Sequence, residues 1–152
     1  MKQMDNNYSQ IVPINISKMV ECVTNLLNDI ARQDNNRGIA VAIVDSYGEL
    51  LVFVAHPYCY PLPRKMAIRK AYTAAILRRG TDLVEQEVKM GNLNLIALND
   101  HNLIASTGGI PIEFDHKVIG GIGVSGLSAQ EDLTIAKQLL TLLNDSGLFS
   151  KV

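Results

Sequence analysis

His56 opens a stretch, His56 to Pro63, in which Tyr58, Cys59 and Tyr60 stand among three prolines. Imidazole, thiol and phenol can each ligate a haem iron axially, so this loop carries candidate axial donors, with an ordinary surface loop as the alternative. Downstream, Arg64, Lys65, Arg69, Lys70, Arg78 and Arg79 concentrate positive charge on one predicted helix. Lys65 and Arg69 are four apart and repel by roughly a few tenths of a kcal/mol unless an anion lies near. A ligand carboxylate would relieve that repulsion, with Arg69 and Lys70 as the pairing groups; a solvated basic face partnered by surface acids is the plainer reading. Gly108 and Gly109 can adopt backbone angles barred to other residues and turn peptide N–H groups toward a ligand, or they make a tight strand connection.

These residues allow two kinds of chemistry. The first is binding of a small molecule in a Gly-lined pocket, the ligand being haem or a related tetrapyrrole, with His56 or Tyr58 meeting iron and Arg69 and Lys70 holding propionates. The alternative is a cofactor-free enzyme of lyase, isomerase or cyclase type acting on a small carboxylated or carbonyl metabolite. In that case His56 or Lys70 is the acid/base, Asp45 orients it, and the glycine N–H groups stabilise an oxyanion.

Other chemistries are excluded. Gly121, Gly123 and Gly126 match the spacing of a dinucleotide fingerprint, but the first two fall inside a predicted strand and too few residues follow for another βαβ unit. His56, His101 and His116 have no metal-ligand spacing, and Cys22 and Cys59 fit no zinc motif, so no metal set is readable. Ser125 lacks the surroundings of a nucleophile elbow. Fourteen Lys and Arg against fifteen Asp and Glu leave a net charge of -1, which gives no field for nucleic acid or an anionic membrane. The N-terminal residues are polar, and no apolar stretch reaches the length of a membrane span. With two cysteines too few for a disulfide scaffold, the expected setting is the reducing cytoplasm.

The elements that must position these groups follow from patterning. Residues 1–13 read as a flexible leader and 14–152 as one domain. Apolar residues from Ile16 to about Ala31 recur at three and four, predicting a helix capped by Asn15 or Ser17. Ile39–Val44 and Leu50–Ala55 flank Asp45, Ser46, Tyr47 and Gly48 as a hairpin. A second helix starts at Pro63 or Arg64, with Ala67, Ala71, Ala74 and Ala75 on one face. Gly80 ends it, and Thr81 is a candidate cap for a short helix from Asp82 to about Val88. Three strands are predicted next: Leu103–Ser106, Ile110–Phe114 and Val118–Val124. The last helix opens on a capping box of Ser128 and Glu131. Hairpin-length connections favour a mainly antiparallel sheet flanked by helices.

Several strings in this order are similar to one known family: Val44-Asp45 with Gly48 and Leu50, Ala67-Ile68 with Lys70-Ala71-Tyr72-Thr73-Ala74, Gly108-Gly109-Ile110-Pro111, and Val118 through Gly126 with Gln130, Asp132 and Ala136. Over about residues 14–145 the chain resembles the GlcG/HbpS-type family, which includes the C-terminal domain of PduO-type proteins. The resemblance implies an α/β (α+β), profilin-like fold with a five-stranded antiparallel sheet, helices on both faces, assembly into a homo-oligomer, and haem as the cofactor to expect. The chain departs from the family where its second strand ends, reading Ala55-His56-Pro57-Tyr58-Cys59-Tyr60 in place of an Arg-Met-Asp-Gly-like segment. Residues 14–31 also hold no counterpart of the haem-liganding histidine that some relatives place near the first helix.

Overall fold

The computed structural model describes residues 15–34 and 37–148, so the leader expected over 1–13 lies outside the described residues. Helix α1 (Ile16–Gln33) is capped by the Asn15 side chain, which accepts from the Lys18 N–H at 3.2 Å, and it buries Met19, Val23, Leu26 and Ile30. That spacing puts one apolar stripe against the sheet. Strands β1 (Ala40–Asp45) and β2 (Leu50–Ala55) form the expected hairpin. Helices α2 (Pro61–Leu77) and α3 (Thr81–Lys89) follow, then a single 3-10 turn at Ile96–Leu98. Strands β3 (Gly109–Phe114) and β4 (Lys117–Ser125) lead to α4 (Ala129–Asp145), whose Ser128/Glu131 capping box is present. No described helix is long and apolar enough to cross a membrane.

The sheet has four strands in the order β2-β1-β4-β3, every neighbouring pair antiparallel. The fifth expected strand, Leu103–Ser106, does not form. Its backbone is satisfied by α2: Arg69 Nη2 donates to the Leu103 carbonyl at 2.8 Å, and the Ile104 N–H donates to Thr73 Oγ1 at 2.9 Å. Buried peptide groups must find partners, and side chains supply them here before a neighbouring strand can. Helix α2 begins at Pro61, earlier than expected, because proline is suited to the first helical position, where an N–H would go unpaired. Thr81 caps nothing; its Oγ1 accepts from the Gly109 N–H at 2.8 Å and ties α3 to β3.

Side chains alternate across β1. Val41 and Ile43 enter the core beneath α1 and α4, while Ala40, Ala42 and Val44 face α2. On the α2 side Ala42, Gly123 and Gly109 pair in one row across three strands. A Cβ on Gly123 would collide with the Ala67 carbonyl oxygen of α2. The missing side chains therefore let Ala67, Ala71 and Ala75, all buried, lie directly on the sheet.

Candidate functional site

The pairing brings three chain segments to one end of the sheet. Ala40 at the start of β1 pairs with Ala55 at the end of β2 and with Ser125 at the end of β4, so Arg37–Gly38, the 56–60 loop and Gly126–Leu127 meet there. Between them lies a cleft of about 720 Å³, floored by Gly38 and Gly126 and walled by Tyr58, Tyr60 and Arg37. Gly38 is required by close approach: a Cβ there would sit 2.6 Å from the Tyr58 carbonyl oxygen. Gly126, at φ +119, is packed onto the Gly38 carbonyl. Two glycines thus let three backbones stack where side chains would hold them apart.

The loop is built by its own hydrogen bonds. The His56 N–H donates to the Ile39 carbonyl at 2.8 Å, and the Cys59 N–H donates to the His56 carbonyl at 2.9 Å. Arg64 reaches back from α2, its Nε donating to the Cys59 carbonyl at 2.9 Å and its Nη2 to the His56 carbonyl at 3.3 Å. With its guanidinium engaged by carbonyls, Arg64 acts as a staple. The loop in turn leaves Tyr58 62% and Tyr60 78% exposed. Two large ring faces are thus open to solvent beside the cleft, where a ligand could cover them.

The structure gives each expected site residue a definite place. His56 Nδ1 accepts from the Tyr58 N–H at 3.2 Å, and the ring borders a smaller adjoining hollow of about 330 Å³ that shares Arg37 and Pro57 with the cleft. Cys59 also borders the cleft but is 4% exposed; its Sγ donates to the Tyr60 carbonyl at 3.6 Å, and burial pushes the thiol up despite Arg64. Lys70 is 2% exposed, its Nζ donating to the Val124 carbonyl at 3.0 Å and to Asp132 Oδ2 at 3.1 Å. Burial also raises the Asp132 carboxyl, more than the Lys70 ammonium lowers it. Asp132 Oδ1 accepts from the Leu127 N–H at 3.1 Å, so this inner pair holds the cleft's β4 edge without facing a ligand. Arg69 Nη2 donates to the Leu103 carbonyl, its buried Nε has no hydrogen-bond partner among the described residues, and the side chain does not line the cleft.

Gly108 and Gly109 pack beneath α2, and their backbone groups are engaged: the Gly108 carbonyl accepts from the Val124 N–H, and the Gly109 N–H donates to Thr81. They form no part of the cleft wall. Asp45 lies at the opposite end of the hairpin, where Oδ1 accepts from the Tyr47 and Glu49 N–H groups at 2.8 and 3.1 Å and shapes the turn. The 6 residues of β2 separate it from the His56 end, roughly 17–20 Å of strand. The structure therefore does not bring His56, Lys70 and Asp45 together, and the acid/base reading loses its geometry.

Arg37 carried no signal in the sequence, since it falls in no periodic segment and no motif. The cue lay in topology, because the residue before a central strand must sit beside whatever follows its two partners. Its Nη2 is bound to the Glu131 carboxylate, which the Ser128 N–H and hydroxyl and then Arg37 together hold below the usual carboxylate range. A guanidinium has five N–H donors, so this contact leaves others to face the cleft.

The family described as haem degrading protein HbpS-like matches residues 16–141. An uncharacterised 15.0 kDa protein from the dhaT-dhaS intergenic region of Citrobacter freundii is 29% identical over 112 residues, 72% of this chain and 79% of that one. Protein GlcG of Escherichia coli (strain K12) is 33% identical over 93 residues, 61% of this chain and 68% of that one. Among solved structures, a PduOC:haem complex superposes with a TM-score of 0.74 at 26% identity, covering 83% of this chain and 92% of the other.

Proposed function

The chain belongs to the HbpS-like family, and from that premise we propose that it binds haem or a related tetrapyrrole in the cleft between Arg37, Tyr58, Tyr60 and Gly126. The observation that carries this reading is the pair of exposed rings, Tyr58 and Tyr60, beside a guanidinium in a cleft of about 720 Å³. That volume is within the roughly 300–1,000 Å³ of small-molecule sites. The likeness to a haem complex at 26% identity supports the same reading.

The residues present fit the group. A tetrapyrrole is a broad apolar plate with carboxylates at one edge. Tyr58, Tyr60 and the prolines 57, 61 and 63 supply ring faces of low conformational entropy, and Arg37 supplies a charge-assisted partner for a propionate. The N-terminus of α2 adds little, because Pro61 and Pro63 remove two of its free N–H donors. Bound haem would supply a redox-active iron; what this chain does is cover the plate, shed water from the tyrosine faces and fix the propionate edge.

Haemin titration of the purified protein, followed through the Soret band, tests the proposal. A saturable shift is expected, weakened about tenfold by Arg37→Ala, the worth of one charge-assisted hydrogen bond, and further by Tyr58→Ala with Tyr60→Ala. A shift that never saturates, or one indifferent to these substitutions, would overturn it.

A further inference from the structure

Building on the reading of the cleft as a tetrapyrrole site, we infer that this chain selects carboxylated tetrapyrroles by their ring face and acid edge, irrespective of the metal at the centre. Its ligand class therefore includes the metal-free and zinc macrocycles alongside the iron one.

The argument comes from the donor atoms around the cleft. An imidazole that ligates iron presents an unprotonated nitrogen while its other nitrogen donates to a carbonyl or carboxylate. His56 is wired in the opposite sense: Nδ1 accepts from the Tyr58 N–H at 3.2 Å, so in the neutral ring Nε2 carries the proton. Its ring also borders the smaller hollow and not the main cleft. Cysteine ligates as thiolate, and Cys59, 4% exposed with its S–H turned to the Tyr60 carbonyl, is held as thiol. A phenol that ligates iron is likewise oriented by an outer-shell hydrogen-bond partner. Among the described residues the hydroxyls of Tyr58 and Tyr60 have no hydrogen-bond partner, so neither phenol is held in that way. His116 lies in the β3–β4 turn, at the far end of the sheet from the cleft. Among the described residues that line the cleft, the contacts available without rearrangement are thus to the macrocycle or its carboxylates.

The experiment compares three probes on the full chain: haemin by absorbance, and protoporphyrin IX and its zinc complex by fluorescence, each also used to displace the others. Dissociation constants within about threefold of one another, mutual displacement, and equal weakening of all three by Arg37→Ala are expected. His56→Asn keeps an acceptor for the Tyr58 N–H while removing the imidazole; it is expected to leave the haemin spectrum and affinity unchanged. Haemin binding more than about tenfold tighter than the metal-free ring, or a Soret shift lost in His56→Asn, overturns the inference and leaves the tetrapyrrole reading standing. Failure of all three probes to saturate overturns both.

Discussion

Tyr72 shows how single side chains fasten this fold at the end remote from the cleft. Its ring covers Gly48, which at φ +82 turns the β1–β2 hairpin and has no room for a Cβ beneath that ring. Its hydroxyl donates to Asp100 Oδ2 at 2.7 Å, while Asp100 Oδ1 accepts from the Asn102 N–H at 2.9 Å. The Tyr72 hydrogen bond, then the Asn102 N–H, holds the Asp100 carboxyl below its ordinary 3.8, and the same hydrogen bond, aided by burial, lifts the phenol above 10.0. A lowered acid contributes stability above its unfolded pKa and loses it as pH falls through the folded one. A raised phenol contributes below its unfolded pKa and loses it as pH climbs through the folded one. Tyr72→Phe is therefore expected to cost about 1 kcal/mol near neutrality, below the usual range for a hydrogen bond to a charged group because both partners are partly exposed. Denaturant unfolding at a series of pH values checks this: the gap between wild type and variant should close in acid, and a gap that persists there would refute the assignment. The sequence hid this bond. Tyr72 could be read on the α2 period, but nothing in the irregular stretch Met90–Asn102 said which of its polar groups would meet it.

Among the elements, α2 and the strands beneath it depend on one another through atoms that are absent. The alternation of β1, the α1 stripe and the α4 capping box were legible because each is a local pattern with a local cause. The glycines of β4 were legible as a question, since a strand interior gives up packing to hold them, and α2 is the answer. Gly123→Ala tests this. Its added methyl meets the Ala67 carbonyl and the Ala71 N–H, backbone that cannot move without lifting the helix. Overpacking of this kind costs about 1–3 kcal/mol or more, and unfolding should show a loss at the top of that range. A loss below about 0.5 kcal/mol would mean that α2 is free to float above the sheet. Leu103–Ser106 was misread as a strand for the converse reason. Its apolar run satisfies the local pattern, but its hydrogen-bond partners, Arg69 and Thr73, stand on a helix more than thirty residues earlier in the chain.

Across the whole molecule, Lys70 and Asp132 form a buried tie between α2 and α4, with β4 caught between them through the Val124 carbonyl. The cue was available: Lys70 falls on the same face as Ala67 and Ala74, and a lysine within a buried alanine stripe demands a buried partner. Which acid answers, 62 residues on, only the fold decides. Removing one partner strands the other. Lys70→Met is expected to lose about 3–5 kcal/mol, and Lys70→Met combined with Asp132→Leu to recover much of it. A double-mutant cycle on unfolding free energies measures this, and purely additive losses would deny the coupling. The cleft lies just beyond this tied and interlocked body, on a loop that anchors Cys59 in the core beneath α2 and leaves Tyr58 and Tyr60 exposed. The two regions therefore tolerate inheritance differently. The body resists change where helix and strand backbones touch, and at the rim Gly38, Gly126 and Cys59 are fixed by packing. The exposed rings of Tyr58 and Tyr60, by contrast, can be exchanged for other side chains without loss of fold.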